Sequence, residues 1–431
     1  MKVLILTLGS RGDVQPYVAF AKGLIEAGHE PLLATDATFK EFITAHGVPY
    51  AYVNEVIGSL ISGDAAREAL AQAQGVIGWI KVANDLNAQI KPLQRQMLSE
   101  QWTAAQVFQP DVVVYHPKAL GGRHIAEALG VPGVIAVAAP GIAPTRAFPA
   151  VGMPELPFGE GYNRSTYGLV ARMANLSYGG LINEWRDTEL KLEKRSRYAS
   201  DMLDPNGQPT PILQAFSPHL LPNIDWEAHV HTVGFWFLET QQAFTPDADL
   251  VRFLEAGEAP VYVGFGSMTS RDPQKMTQTV VDALVKTGQR GLIATGWGGI
   301  SEGDLPANVY RIREAPHSWL FPRVKAVVHH GGAGTTAAGL RAGRPTLICP
   351  FFGDQPLWGA RVHELGAGPA PIPEKKLTVD NLSEALRALA TNSTMQQNAA
   401  ALGEKMRAED GLANGIRWLE HNVPTRQPVR A

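Results

Sequence analysis

The residues of this chain best suited to chemistry cluster in a few short glycine-rich loops. The longest is His329-His330-Gly331-Gly332-Ala333-Gly334-Thr335-Thr336, which joins an apolar run to a helical pattern. Its glycines let backbone N–H groups approach an anion, and a helix N-terminus adds roughly half a positive charge. A histidine and two threonine hydroxyls on the same turn supply further donors. The chemistry implied is a diphosphate cradle, one without the lysine of a Walker-type loop. Gly9-Ser10-Arg11-Gly12-Asp13 and Gly264-Phe265-Gly266-Ser267-Met268 follow two other apolar runs. Taken alone, their glycines serve equally well for tight strand-to-helix turns, and Asp13 reads as an N-cap for a helix beginning near Val14-Gln15-Pro16. A further loop, Pro350-Phe351-Phe352-Gly353-Asp354-Gln355-Pro356, pairs a carboxylate with a carboxamide. Asp354 suits a cap ahead of Pro356. With Gln355 it also suits sugar hydroxyls, which both donate and accept.

These loops need a scaffold that aims them at one place. Val3–Leu8 is a continuous apolar run, as expected of a strand buried on both faces. Helical spacing over Gln15–Ala27 and a second apolar run at Pro31–Ala34 complete a βαβ unit. The pattern continues with a helix around Ala37–His46, a strand around Tyr50–Val53 and a helical stretch from Ala65 to Gln106. Strands at Asp111–Tyr115 and Gly133–Ala138 flank a helix at Leu120–Leu129. The Pro/Gly-rich stretch Ala139–Gly161 reads as a long substrate-facing loop, followed by a helix over Ser165–Tyr198. A second series begins near Ala259, with strands at Val261–Phe265, Gly291–Thr295, Val309–Ile312, Ala326–His329 and Thr346–Cys349. The spacing therefore predicts an α/β protein of two doubly wound, Rossmann-like parallel sheets, with ligand loops at the carboxyl ends of the strands. The expected division is an N-terminal domain over residues 1–234, a linker over 235–256 and a second domain over 257–408. A last helix within 409–431, carrying Trp418 and Leu419, is expected to pack back on the first domain.

Composition narrows the function. The 431 residues are 45% hydrophobic and 18% charged, with a net charge of −3, enough apolar content for full cores. Near-neutrality without a basic run argues against a nucleic-acid groove or a polybasic membrane patch. The single cysteine, Cys349, excludes an intramolecular disulfide and a multi-cysteine metal site. No run reaches the ~18 apolar residues of a spanning helix, and the N-terminus lacks a signal-peptide core. The expectation is a cytoplasmic protein without a transmembrane segment, although peripheral membrane contact stays open.

The segments Gly9–Leu24, Val261–Met268 and above all His317–Pro356 resemble the GT-B-fold, nucleotide-sugar-dependent glycosyltransferases of family 1. The likeness runs to the sterol 3-beta-glucosyltransferases and the bacterial antibiotic glycosyltransferases. It covers essentially the whole chain and weakens over Tyr50–Phe108 and Ala139–Pro211. The resemblance implies a donor site in the C-terminal half, an acceptor site in the N-terminal half and catalysis in the cleft. It assigns His330 to the donor diphosphate, with Gly332, Gly334, Thr335 and Ser267 completing the cradle. Asp354 and Gln355 hold the sugar, and the Ala315–Trp319 segment, with His317, meets the base. Ser10, Arg11 and Gly12 face the ligand from the first loop. By the same resemblance Asp13 is the catalytic base. Plant members carry a histidine in its place, so their His–Asp relay does not transfer.

The mechanism so implied is a single in-line displacement with inversion, moving a hexose such as glucose from UDP-glucose to a hydroxyl of a lipophilic acceptor such as a sterol. No metal is required and no cofactor is permanently bound. Asp247-Ala248-Asp249 matches a metal-binding Asp-x-Asp string but reads as helix capping. Polyketide, triterpenoid or phenolic acceptors, and a dTDP-sugar, remain alternatives. Trp79, Val82 and Leu86 have helical spacing that fits either core or an apolar acceptor pocket. Other classes are an NAD-dependent oxidoreductase, from Gly9, Gly12 and Asp36, a nucleotide-sugar epimerase, and a non-catalytic binding module. The oxidoreductase pattern lacks its third glycine and leaves the His330 loop unexplained.

Overall fold

The computed structural model describes residues 1–54, 75–196, 199–239, 244–266, 272–294, 305–313 and 315–424, without the side chains of 75–89. Ser267 and the side chains of Trp79, Val82 and Leu86 lie outside that description.

The strands are β1 (Lys2–Leu6), β2 (Glu30–Thr35), β3 (Tyr50–Tyr52), β4 (Val112–Tyr115), β5 (Gly133–Val137), β6 (Ile212–Gln214) and β7 (Val230–Thr232) in the first half. The second half holds β8 (Val261–Gly264), β9 (Gly291–Ala294), β10 (Val309–Ile312), β11 (Ala326–His329) and β12 (Thr346–Ile348). The helices that concern the site are α1 (Arg11–Glu26), α2 (Gly75–Phe108), α3 (Ala248–Glu255), α4 (His317–Leu320), α5 (Ala333–Arg341), α6 (Gln355–Glu364) and α7 (Gly411–Asn422).

Two sheets result, with strand orders β3-β2-β1-β4-β5-β6-β7 and β10-β9-β8-β11-β12. Their ladders are parallel throughout. Val3, Leu4, Ile5 and Leu6 are all fully buried, the result of helices covering both faces of the sheet. In each sheet the strand order reverses once, between β1 and β4 and between β8 and β11. An open α/β sheet offers its ligand crevice at such a switch point. Pairing of Leu6 with Tyr115 and of Gly264 with His329 brings out the following loops side by side.

β6 and β7 extend the first sheet beyond the strands read from sequence. The stretch after β7 is a packed strap as much as a connection. Trp236 stacks on Phe20 at 4.1 Å, Phe235 sits in a cluster with Phe216 and Trp358, and α3 buries Leu250. α7 lies against α1, with Ile416 and Leu419 buried among Phe20 and Leu24. Trp236 Nε1 donates to the Gly411 carbonyl at 3.1 Å, and Asn414 Nδ2 to that of Val233 at 2.9 Å.

Candidate functional site

Asp13 lies in the first turn of α1, whose N-cap is Ser10, so the helix begins before the position that sequence assigned to Asp13 as its cap. The Asp13 carboxylate reaches back instead. Its Oδ2 accepts from the Ser10 N–H at 2.8 Å and from the Ser10 hydroxyl at 3.0 Å. Its Oδ1 accepts from Lys118 Nζ at 2.6 Å. Burial pushes the Asp13 pKa up, but the Lys118 charge and hydrogen bond outweigh it and hold the group below its ordinary value. Lys118 was not singled out from sequence. It follows β4 as Asp13 follows β1, and a charged residue just beyond a buried apolar strand was the available signal.

His116 lies in the same loop. Its Nδ1 accepts from the Lys118 backbone N–H at 3.0 Å. Burial lowers its pKa to about 4, against the pull of Asp13. Arg11 reaches Gln15 Oε1 with its Nε at 3.0 Å and lies over the Phe42 ring.

In the second domain, α5 begins immediately after Gly332. Thr336 turns its hydroxyl inward to the Gly332 carbonyl at 3.0 Å, so it is not part of the cradle. The first-turn N–H groups of Ala333, Gly334 and Thr335 have no acceptor within the helix, as at any helix start. The His330 ring crosses Gly332: a Cβ on that glycine would stand 2.5 Å from His330 Nε2. His330 Nδ1 is buried and has no hydrogen-bond partner among the described residues. Burial lowers the His330 pKa to about 4, so at neutral pH it is an uncharged donor or acceptor. The adjacent His329 is fully buried in β11, and its Nδ1 accepts from the Gly331 N–H at 3.0 Å. One histidine of the pair is thus structural, while the other borders the helix start.

Asp354 stands at the N-cap position of α6 but makes no backbone cap. Its Oδ2 is held by the Trp358 indole N–H at 2.7 Å. Burial raises its pKa, and the charges of Asp13 and Lys118 both act on it across the gap between the domains. Gln355 is buried, its amide oxygen accepting from Phe351 N–H at 2.8 Å and Phe352 N–H at 3.3 Å. That oxygen shapes the loop between β12 and α6. His317 stacks on Phe321 at 4.3 Å, with its pKa lowered to about 4 by burial and by the charges of Arg11 and His330. Trp319 packs partly buried against the core cluster of Tyr262 and Phe321, with the Arg323 guanidinium over its ring.

Across the gap between the domains the charge of Asp13 acts on Asp354 and that of Arg11 on His317, while His330 stands beside Gly332 at the start of α5, with Gly334 and Thr335 in its first turn. Asp36 caps the turn after β2, its Oδ1 accepting from the Thr38 N–H at 2.6 Å. Asp247 caps α3 by accepting from the Asp249 N–H at 2.8 Å. Cys349 is buried, with its thiol pushed up to about 12 by burial.

Residues 3–148 match the glycosyltransferase family 28 N-terminal domain, and residues 293–414 the erythromycin biosynthesis protein CIII-like C-terminal domain. Two sterol 3-beta-glucosyltransferases of Arabidopsis thaliana are 38% identical over 427 residues and 37% over 432. They cover 99% and 100% of this chain, which spans 66% and 69% of their own lengths. A sterol 3-beta-glucosyltransferase of Aspergillus terreus is 37% identical over 98% of the chain, which spans 30% of that protein. Among solved structures, the glycotransferase of kitacinnamycin superposes with a TM-score of 0.74 at 18% identity, covering 98% of this chain and 99% of its own. The calicheamicin glycosyltransferase CalG4 superposes with a TM-score of 0.69 at 17% identity and the same coverage. The two facing parallel-sheet domains are those of the GT-B fold, and the chain belongs to the GT-B glycosyltransferases, in the family that includes the sterol 3-beta-glucosyltransferases.

Proposed function

We propose that this chain transfers glucose from UDP-glucose to a hydroxyl of a lipophilic acceptor, a sterol or a compound like it, with inversion at the anomeric carbon. The observation that carries this reading is the meeting of Asp13 with Asp354 across the domain gap, close enough for one charge to act on the other. In this reading Asp354 and Gln355 hold the sugar, while His330 and the first-turn N–H groups of α5 hold the diphosphate. The Ala315–His317 segment meets the base.

The acceptor oxygen attacks the anomeric carbon as the bond from that carbon to UDP breaks. Its proton passes to Asp13, and the electron pair of the broken bond leaves with the diphosphate. A carboxylate held below its ordinary pKa is a weak base toward a resting alcohol. It can still take the proton in the transition state, as the attacking oxygen loses electron density. Charge developing on the diphosphate is met by a neutral imidazole, backbone N–H groups and a helix N-terminus, which calls for no metal.

A second donor has specific support, because the fold neighbour VinC was solved with dTDP. A screen of UDP- and dTDP-sugars against lipophilic alcohols, read by nucleotide release and product mass, tests the proposal. It predicts a glycoside that requires both substrates. Sugar interconversion from the donor alone, or tight NAD binding without UDP binding, would overturn it.

A further inference from the structure

We propose that Lys118 is the positioning residue of the base, locking the Asp13 carboxylate so that a single lone pair of Oδ1 is turned toward the acceptor hydroxyl. The inference rests on the reading of Asp13 as the base. A carboxylate has about four lone-pair sites. The Ser10 N–H and hydroxyl engage Oδ2, and Lys118 Nζ engages Oδ1. What remains on Oδ1 is the site from which a proton can be taken. With both oxygens anchored, the carboxylate cannot turn.

The fold delivers the lysine to that oxygen. β1 and β4 are neighbours at the switch point, with Leu6 beside Tyr115, and His116 Nδ1 fixes the Lys118 backbone N–H at 3.0 Å. Space for the pair comes from Gly9, whose φ is +127°. A Cβ there would lie 2.4 Å from Asp13 Oδ2 and 3.1 Å from Lys118 Nζ. Structural need alone does not account for the pair. The Lys118 side chain is 53% exposed, and ion pairs so open to water contribute little to stability.

The groups facing the carboxylate are Ser10 before α1, Tyr17 on α1, His116 and Lys118 after β4, and Asp354 from the second domain. Burial favours the protonated form, whereas Lys118 is the leading group that opposes it, followed by His116 and the Ser10 N–H. Removing Lys118 therefore releases the carboxylate from its orientation and raises its pKa.

The test compares Lys118→Met and Lys118→Arg with the unchanged enzyme, measuring kcat, donor KM and the pH dependence of kcat/KM. The expected result for Lys118→Met is a kcat about tenfold to a hundredfold lower, in the range that misplacement of a reacting group produces. Its acid limb moves to higher pH and its donor KM stays within about twofold of the unchanged enzyme, a contrast that a general packing defect would not give. Lys118→Arg restores the position of the acid limb. Retention by Lys118→Met of both kcat and the acid limb, while Asp13→Asn is inactive, overturns the role of Lys118 and leaves the base intact. An active Asp13→Asn overturns both.

Discussion

The indole N–H of Trp358 donates to Oδ2 of Asp354 at 2.7 Å, from one helical turn further along α6. Trp358 is fully buried and packs edge-on against Phe216, a residue of the first half of the chain. The carboxylate assigned to the sugar is thus held by a side chain locked in the contact between the two domains. The site depends on that contact as much as on its own loop.

Trp358→Phe keeps most of the volume and deletes the donor. Loss of a hydrogen bond to a buried carboxylate costs about 1–3 kcal/mol. The expected outcome is a donor KM raised about tenfold, with a fall in Tm measured calorimetrically and kcat changed less than KM. An unchanged donor KM would remove Asp354 from the sugar site.

Gly332→Ala sets a methyl group 2.5 Å from His330 Nε2, a distance at which the ring must move. Because the helix start itself survives, overall stability should change little. UDP binding measured by titration should weaken about tenfold or more. Near-normal UDP affinity in this variant would show that His330 and the start of α5 do not hold the diphosphate.

His116, His317 and His330 have folded pKa values lowered to about 4 by burial, against an ordinary value of 6.5. Between those values the unfolded chain binds more protons than the folded one, so stability falls as pH drops through this window and is regained above it. Each histidine contributes roughly 3 kcal/mol of destabilisation by about pH 4. Urea midpoints measured at intervals from pH 7 to pH 4 should fall steadily, and His330→Gln should flatten part of the slope. Binding of UDP-glucose without acceptor should be level from pH 5 to pH 8, since His330 remains uncharged there. A loss of affinity centred near pH 6.5 would mean that the donor is held by an imidazolium.

Ile416 of α7 is buried between α1 and the strap, with its Cδ1 close to Gly23. Ile416→Ala should destabilise the chain by about 2–4 kcal/mol, read from chemical denaturation. kcat at low temperature should be nearly unchanged, because α7 packs on the C-terminal half of α1, around Phe20, Gly23 and Leu24, while Asp13 lies in its first turn.

β11 agrees at both ends with the expected Ala326–His329 and is buried at every residue, the place a continuous apolar run takes in such a fold. β10 agrees with the expected Val309–Ile312 although it is an edge strand with only its end residues buried. β6 and β7, each three residues long, give no period to read and were missed. The start of α1 was read too late. The Asp13 side chain reaches back to Ser10, and Gly12 disguises the first turn. The candidate site was legible wherever glycine, histidine and carboxylate fell just beyond a strand. Lys118 and Trp358 were not, since their roles arise from the pairing of β1 with β4 and from one turn of α6. The first relation is not local in sequence, and the second spans only four residues but shows once α6 is seen to start at Gln355.

The central claim is transfer of a sugar to an alcohol with Asp13 as its base, and Asp13→Asn tests it most directly. The variant keeps the shape of the side chain while removing its basicity. With UDP-glucose and a responsive lipophilic alcohol, glycoside formation should fall about 100-fold or more in kcat, the contribution expected of a general base. UDP affinity should be retained. Glycoside formation by Asp13→Asn at the rate of the unchanged enzyme would contradict the account.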